Sequence, residues 1–283
     1  LLFFGLGGSG NVLSIVGISM VILMPICVFL TVTKVPESTN RVKSTISPIK
    51  GLKLMLDNAP FKRLILAFMM GGIAVSITTP LYLFFITYVL NEEDMAIYML
   101  TFFYISTFAA VPFWVWLSTI IGKHKAYIAS FMLIGLTHPL YLLLGEGDFW
   151  WMLPITITTG FAAGGFQALP NSMKADVIDI DTLKSGENRS ALFFSTWSFT
   201  QKMTASVGSW IALTALAWVG FNTGPDAYND SSQLFGLRLL FSSMSSIFYF
   251  IAVAIIWKYP ITEEEHSKIR ENLEKQKIEE LNK

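Results

Sequence analysis

The chain has 283 residues, of which 53% are hydrophobic and 14% are charged, and its formal net charge at pH 7 is zero. Soluble domains carry about 25% charged residues, so this composition is typical of a membrane protein, and the balanced charge gives no indication of a nucleic-acid partner. The single cysteine, Cys27, excludes a disulfide framework within the chain, and the three histidines are too far apart in sequence to form a metal motif.

Apolar segments follow one another along the whole chain. Each is about as long as the roughly 17–25 residues that a helix needs to cross a bilayer. They cover residues 11–33, 64–90, 96–121, 126–144, 149–172, 190–219 and 233–257. The sequence therefore predicts an all-α membrane protein with seven transmembrane helices.

The loops between these segments alternate in charge. Loops with lysine or arginine cover residues 34–63, 123–125, 174–189 and 258–283, and loops without either cover residues 91–94, 146–148 and 226–230. Basic loops favour the cytoplasmic side of a membrane. The alternation therefore predicts a multi-pass protein of the plasma (inner) membrane that starts outside and ends with a cytoplasmic tail.

The longest polar connection, residues 34–63, divides the chain. One predicted helix precedes it in residues 1–33, six helices with short loops follow in residues 64–258, and residues 259–283 form a charged tail. Residues 51–57 of the connection have the pattern of a short amphipathic helix along the inner surface. Because an odd number of crossings begins outside, we expect further helices upstream of this chain.

Prolines and glycines interrupt several of the predicted helices. Pro80, Pro112 and Pro139 lie inside apolar segments, and residues 160–170 combine three glycines with a proline. In lipid such residues are tolerated where a helix packs tightly or lines a cavity, and small residues let helices approach closely. The sequence leaves both alternatives open.

Lys202 lies about twelve residues into the sixth segment, or about 18 Å along the helix axis. A charge there costs at least about 2.5–3.5 kcal/mol unless it faces a polar cavity. Either a carboxylate from the missing half of the protein neutralises Lys202, or Lys202 faces a central cavity together with Ser198, which lies one turn earlier. Trp197 and Gln167 are the predicted sugar contacts, because rings stack on sugar C–H faces and amides bind hydroxyls. Arg238, near the outer start of the last helix, is expected to reach the membrane interface.

The densest polar cluster joins the fifth and sixth predicted helices. Asp176 and Asp179 are three residues apart and share a face if the helix continues there. Opposite Lys184 and Arg189 they would form a cytoplasmic ion-pair gate that breaks and re-forms during transport. The alternative is a solvated charged turn, in which each bridge contributes about 0–1 kcal/mol.

Two strings in this region resemble a known family. They are Ala-Asp-Val-Ile-Asp-x-x-x-x-Lys-Ser-Gly-x-x-Arg at 175–189 and Phe-Ser-x-x-x-Phe-x-x-Lys at 194–202. Together with residues 58–61, 112–123 and 259–264, they resemble the glycoside–pentoside–hexuronide:cation symporters, the melibiose-carrier branch of the major facilitator superfamily. Ile180 and Ser185 depart from the family's pattern.

The resemblance implies a major-facilitator fold, of which this chain is helix 6 plus the C-terminal six-helix bundle. It implies symport of a small polar solute, such as a glycoside, with Na⁺ or H⁺ by alternating access, with the N-terminal half of the same protein as partner and no other cofactor. It places Lys202 near the substrate and cation sites, and it ties Asp176, Asp179 and Arg189 to the cytoplasmic gate.

Two other functions stay open. Residues 169–179, 220–222 and 259–260 also resemble sodium-dependent lysophospholipid carriers, and a truncated, non-transporting membrane protein is the second alternative. No nucleophile–base motif is visible, so the sequence does not predict an enzyme.

Overall fold

The computed structural model of the chain describes residues 9–34, 57–186, 189–224 and 227–260. Most of the predicted connection 34–63, including its amphipathic segment, and the tail beyond residue 260 lie outside the described residues. The described residues form helices and no strands. The chain divides into two compact units, Leu1–Lys43 and Ser44–Lys283.

The first unit contains one long helix, α1 (Ser9–Lys34), with Pro25 in its interior. Its side chains from residue 17 onward are almost all exposed, and most are apolar. The hydroxyls of Thr31 and Thr33 donate to the carbonyls four residues earlier, at 2.8 and 2.7 Å. Such local bonds satisfy polar side chains where water is absent, so α1 is suited to a hydrocarbon environment.

The second unit is a helical bundle. In chain order, α2 (Ala59–Phe84) continues as a π-helical segment (Phe85–Leu90) and is followed by α3 (Ala96–Ile121). Next, α4 (Lys123–Thr137) continues as a 3-10 helix (His138–Leu143) and is followed by α5 (Phe149–Ser185) and α6 (Ser190–Trp218). Finally, α7 (Ser231–Leu239) passes through a π-helical segment (Leu240–Met244) into α8 (Ser245–Ile256). Asn58 caps α2, because its side chain accepts a hydrogen bond from the Phe61 backbone N–H at 3.1 Å.

The helices lie where the apolar segments predicted them, with one large difference. α5 runs on to Ser185, well past the predicted end of its crossing at residue 172. The polar cluster at 174–181 therefore lies on a helix rather than in a loop. A helix need not end where it leaves the apolar layer, because its backbone hydrogen bonds are satisfied internally on both sides.

Five helical stretches among the described residues are both long and apolar enough to cross a membrane. They are Gly17–Lys34, Ala59–Leu90, Glu93–Ile121, Lys123–Leu143 and Ser231–Ile256. The helices α5 and α6 contain 37 and 29 residues and are long enough, but they carry more polar side chains. Polar faces of membrane helices are expected to turn towards protein or water rather than towards lipid.

The core of the bundle forms two apolar clusters at different levels along the helices. One contains Tyr127, Phe131 and Phe166, and the other contains the stacked pair Phe85 and Phe241, whose ring centroids are 4.4 Å apart. The closest helix pairs are α3 with α5, α4 with α5, α4 with α8, α2 with α8, and α2 with α6. The consecutive helices α5 and α6 make few contacts with each other.

Glycines let two of these pairs approach closely. A Cβ atom added at Gly160 or Gly164 of α5 would lie 2.5 Å from the Phe103 carbonyl oxygen or 2.7 Å from that of Thr107, both on α3. One added at Gly208 of α6 would lie 2.5 Å from the Ser76 Cβ on α2. For these glycines, tight packing is therefore the alternative that the structure supports.

Candidate functional site

An ion pair joins the ends of three helices. Lys123 begins α4 directly after α3 ends, and its Nζ lies 2.8 and 2.7 Å from the two carboxylate oxygens of Asp176 on α5. The side chains are only 22% and 10% exposed. A charge-assisted bond to both oxygens in partly buried surroundings is stronger than a surface bridge. We call this end of the bundle the Lys123 end.

Two of the predicted gate residues, Asp176 and Arg189, have ion-pair partners that the sequence had not singled out. Asp176 bonds Lys123, which precedes it by 53 positions, whereas the sequence had placed Arg189 and Lys184 opposite it. Arg189 instead lies 3.8 Å from Asp181, a carboxylate the prediction had not singled out. Asp179 is half-buried, and the Lys184 side chain lies outside the described residues. The reason is that α5 continues through this region, which turns Asp176 towards the α3–α4 junction.

Tyr259 lies at the Lys123 end, just after α8, with its ring centroid 6.3 Å from that of His124. Its side chain is buried, and its hydroxyl has no hydrogen-bond partner among the described residues. Burial and the nearby Asp176 carboxylate raise the pKa of the Tyr259 phenol, so this group stays neutral.

A polar strip runs along α5 towards the middle of the bundle. Gln167, Asn171 and Lys174 are spaced by four and three residues, so they share one face. The Lys174 Nζ donates to the Asn171 Oδ1 at 3.2 Å, and the Asn171 Nδ2 donates to the Gln167 carbonyl oxygen at 3.3 Å. The same ammonium lies 4.5 and 4.8 Å from the ring centroids of Phe194 and Trp197 on α6, at cation–π distance.

A second polar strip runs along α6. It consists of Ser195, Ser198, Lys202, Ser206 and Ser209, spaced by three or four residues. Lys202 is exposed, and among the described residues it forms no ion pair. The alternative in which a carboxylate from the missing half of the protein neutralises Lys202 stays open.

The contact between Lys174 and Trp197 sets the level of the two strips relative to each other. Consecutive helices joined by a short loop run antiparallel, so Gln167, seven residues before Lys174, is level with residue 204, seven after Trp197. Lys202 is two residues, or about 3 Å, from that level. Counting residues along the two helices therefore gives Gln167 and Lys202 a similar depth.

Of the four predicted cavity residues, three are exposed on the bundle: Gln167, Ser198 and Lys202. Trp197 is only 6% exposed, and its ring lies against Phe68 on α2 at a centroid distance of 4.2 Å. In this unit its ring thus lies against Phe68 and Lys174, within the apolar core. Its role as a sugar contact remains a prediction.

Sequence reasoning missed Lys174 and Asn171 because it placed Lys174 in a loop. The signal was present in the spacing of Gln167, Asn171 and Lys174, which continues one helical face beyond the end of the apolar segment. It also missed Lys123 as the partner of Asp176, because no spacing rule connects residues on helices that are distant in sequence.

Comparison with known proteins identifies the family. The profile described as MFS/sugar transport protein matches residues 1–263. The chain belongs to this major-facilitator family. This membership confirms the predicted all-α major-facilitator fold, and it places the chain among transporters rather than enzymes.

Several curated relatives are similar over most of this major-facilitator chain. The sodium-dependent lysophosphatidylcholine symporter 1-A of Danio rerio is 27% identical over 230 residues, 79% of this chain and 42% of that protein. The sphingosine-1-phosphate transporter MFSD2B of Xenopus tropicalis is 24% identical over 76% of this chain and 42% of its own length. The uncharacterized symporter YjmB of Bacillus subtilis is 25% identical over 82% of this chain and 50% of its own length.

The chain thus spans about half the length of the curated relatives that it matches. The names of these relatives agree with a symporter of the major facilitator superfamily. None of the three quoted above is named as a melibiose carrier, so the finer assignment to that branch remains a prediction.

Proposed function

We propose that the protein to which this chain belongs is a secondary active transporter that moves a solute together with a cation by alternating access. The observation behind this proposal is that Lys202 is exposed and level with Gln167. These residues lie on α6 and α5, the two long helices of the bundle that are not among the stretches apolar enough to cross a membrane. An intramembrane lysine in this setting requires water, substrate or a counter-charge in front of it. The bundle of α2 to α8 would form one wall of the transport pathway.

Na⁺ is the first candidate for the coupling cation. Two of the quoted relatives have the word symporter in their names, and one of these is also named as sodium-dependent, which supports cation coupling. The Lys202 ammonium would repel a cation bound close by, since two unit charges about 4 Å apart interact with about 4 kcal/mol at an effective dielectric constant of 20. Lys202 would then move between a counter-charge on the N-terminal half and a substrate oxygen as the cation binds and leaves.

The ion pairs at the Lys123 end would act as the cytoplasmic gate. Lys123–Asp176 ties the α3–α4 junction to α5, and Asp181–Arg189 ties the end of α5 to the start of α6. Both pairs lie within one unit, so they would hold its helix ends together as it rocks. The proposed gate function of Asp176 and Arg189 rests on these pairs and on the family resemblance. That of Asp179 rests on the resemblance, and that of Lys184 on the sequence pattern.

A glycoside is one proposed substrate class. The Gln167 and Asn171 side chains offer amide donors and acceptors on one face of α5, close to the level of the Lys202 ammonium. Amides and an ammonium suit the hydroxyls of a sugar, because each hydroxyl both donates and accepts hydrogen bonds.

A lysophospholipid is the second proposed class. The exposed Lys202 suits a phosphate, and the exposed Phe194 and Phe199 on the same helix suit an acyl chain. Two of the quoted relatives are named for lysophosphatidylcholine and sphingosine-1-phosphate, which are both phosphate-bearing amphiphiles. These names favour the second class, whereas the amide strip favours the first.

Uptake into proteoliposomes tests the proposal. The full-length protein would be reconstituted with and without an inward Na⁺ gradient, and offered a radiolabelled galactoside, a uronide and a lysophosphatidylcholine. We expect the gradient to stimulate uptake of one class. Lys202→Ala should reduce that uptake at least about tenfold, because one lost charge-assisted hydrogen bond corresponds to roughly 1.5–3 kcal/mol.

The matched control is Lys125→Ala, since Lys125 is also an exposed lysine but lies on α4 and belongs to neither polar strip. It should leave uptake unchanged. Gradient-independent uptake of every solute by well-folded protein, or wild-type uptake by the Lys202→Ala variant, would refute the proposal.

A further inference from the structure

A cavity of about 300 Å³ opens at the end of the bundle opposite the Lys123 end. Its walls come from the π-helical end of α2, the loop between α4 and α5, and α7. It is lined by Tyr88, Val89, Asn91, Gly145, Glu146, Leu234 and Arg238. Small-molecule sites begin at about this volume, so the cavity is large enough for a headgroup-sized ligand. We call this end of the bundle the Glu146 end.

Arg238 supplies a cation to this cavity, and it forms no ion pair among the described residues. One guanidinium nitrogen donates to the Leu142 carbonyl oxygen at 2.7 Å, which holds the side chain across from α7 to the end of α4. Its Nε is buried and has no hydrogen-bond partner among the described residues. A guanidinium offers five N–H donors in a planar fork that matches phosphate and carboxylate oxygens. Arg238 is therefore oriented by one bond, and the N–H groups of its other terminal nitrogen stay available to an anion.

Glu146 supplies a carboxylate to the same cavity. Its Oε1 accepts a hydrogen bond from the Asn91 Nδ2 at 3.2 Å. Asn91 itself adopts a left-handed conformation, with φ 57°, at the end of the π-helical segment. Among the described residues Glu146 and Arg238 form no ion pair, although both line one cavity. Two opposite charges are thus held apart, with the Tyr88 ring and two aliphatic side chains lining the rest of the wall.

The surroundings place this cavity at the level of lipid headgroups. Trp150 and Trp151 begin α5 right after the cavity loop and are 74% and 71% exposed. Trp218, at the same end of α6, is exposed as well. Exposed tryptophans concentrate where the hydrocarbon layer meets water. The cavity therefore opens where a phospholipid presents its headgroup.

We propose that this cavity is a binding site for a zwitterion with a phosphate and an ammonium group, of the phosphocholine type. Arg238 binds the phosphate through its free N–H donors. Glu146 and the face of Tyr88 bind the ammonium, because a carboxylate neutralises it and an aromatic ring attracts a quaternary cation. The site lies at the opposite end of the bundle from the gate residues. Phosphocholine binding to it can therefore be measured without any transport.

The test is equilibrium dialysis of the full-length protein in a maltoside detergent against radiolabelled phosphocholine at low salt. We expect saturable binding at one site. Glu146→Gln should weaken phosphocholine binding about tenfold while competition by inorganic phosphate is retained, and Arg238→Gln should weaken the binding of both. Asp94→Asn is the matched control, because Asp94 is an exposed carboxylate at the same end that does not line the cavity.

Leu234→Trp is a second variant for the case in which Arg238→Gln fails to fold. The larger ring fills the cavity while Arg238 and Glu146 keep their charges, so this substitution should abolish phosphocholine binding. Displacement of phosphocholine by lysophosphatidylcholine, but not by lysophosphatidylglycerol, would identify a lipid headgroup as the ligand. Displacement by neither would identify the free zwitterion. Lack of saturable binding by the wild type, or unchanged binding in both Glu146→Gln and Leu234→Trp, would overturn the proposal, whatever the uptake assay shows.

Discussion

At the scale of single residues, the Lys123–Asp176 pair shows how burial changes the contribution of an ion pair to the free energy of unfolding. Both side chains are largely shielded, and each oxygen of Asp176 lies within 2.8 Å of the Lys123 Nζ. Removing one partner leaves the other desolvated without compensation, whereas removing both avoids that penalty. The double substitution should therefore cost less than the sum of the two single substitutions.

A double-mutant cycle checks this expectation. Asp176→Asn and Lys123→Gln should each lower the free energy of unfolding by about 1–3 kcal/mol, and the double variant should be less destabilised than their sum, by about 1 kcal/mol. Thermal unfolding of the full-length protein in detergent measures the effect. Arg189 and Asp181 supply the comparison, since at 3.8 Å their coupling should be smaller. Additive effects for Lys123 and Asp176 would contradict the stabilising role of the pair.

At the scale of helices, glycines determine how closely α5 approaches α3. A Cβ at Gly164 would lie 2.7 Å from the Thr107 carbonyl oxygen and 3.0 Å from the Ala110 Cβ. Backbone atoms cannot move aside as a flexible side chain can, so the helices would have to separate. Close backbone approach is also how membrane helices gain van der Waals contact without a hydrophobic driving force.

Gly164→Ala should therefore lower the unfolding temperature, by a free energy of about 1–3 kcal/mol that is typical of overpacking. Gly17→Ala is the control, because Gly17 lies in α1 and a Cβ there meets nothing within 4 Å. That substitution should be neutral or slightly stabilising in the helix interior. Equal effects at both positions would show that helix propensity, rather than packing, governs the response.

At the scale of the whole molecule, the alternation of basic and acidic loops predicts the orientation in the membrane. Asp94 and Lys125 flank α3, whose 26 residues separate them by about 39 Å. They should therefore lie on opposite sides of a bilayer, with Lys125 on the cytoplasmic side.

Cysteine labelling measures this orientation. In a background free of native cysteines, of which this chain carries Cys27, a membrane-impermeant maleimide should modify the Asp94→Cys variant in intact cells. The Lys125→Cys variant should react only after the membrane is permeabilised. The reverse pattern would invert the predicted topology, and labelling of both in intact cells would exclude the crossing by α3.

The sequence by itself determined where the helices are. The segment predicted at 96–121 coincides with α3, because a long apolar run bounded by polar loops has few alternatives in a membrane. It also determined the superfamily, because the strings at 175–189 and 194–202 resemble a branch of the major facilitators and the profile over residues 1–263 supports that superfamily. The branch itself stays a prediction. The shared face of Ser198 and Lys202 followed from helical spacing, which is a local property.

Only the tertiary structure decided which distant residues meet. Lys123 and Asp176, or Arg238 and Glu146, lie on different helices, and no periodicity connects them. The burial of Trp197 against Phe68 and Lys174 was equally invisible, because it depends on which face of α6 packs against α2 and α5. Helix formation is governed by hydrogen bonds within a segment, whereas ion pairs and cavities depend on how separate segments pack.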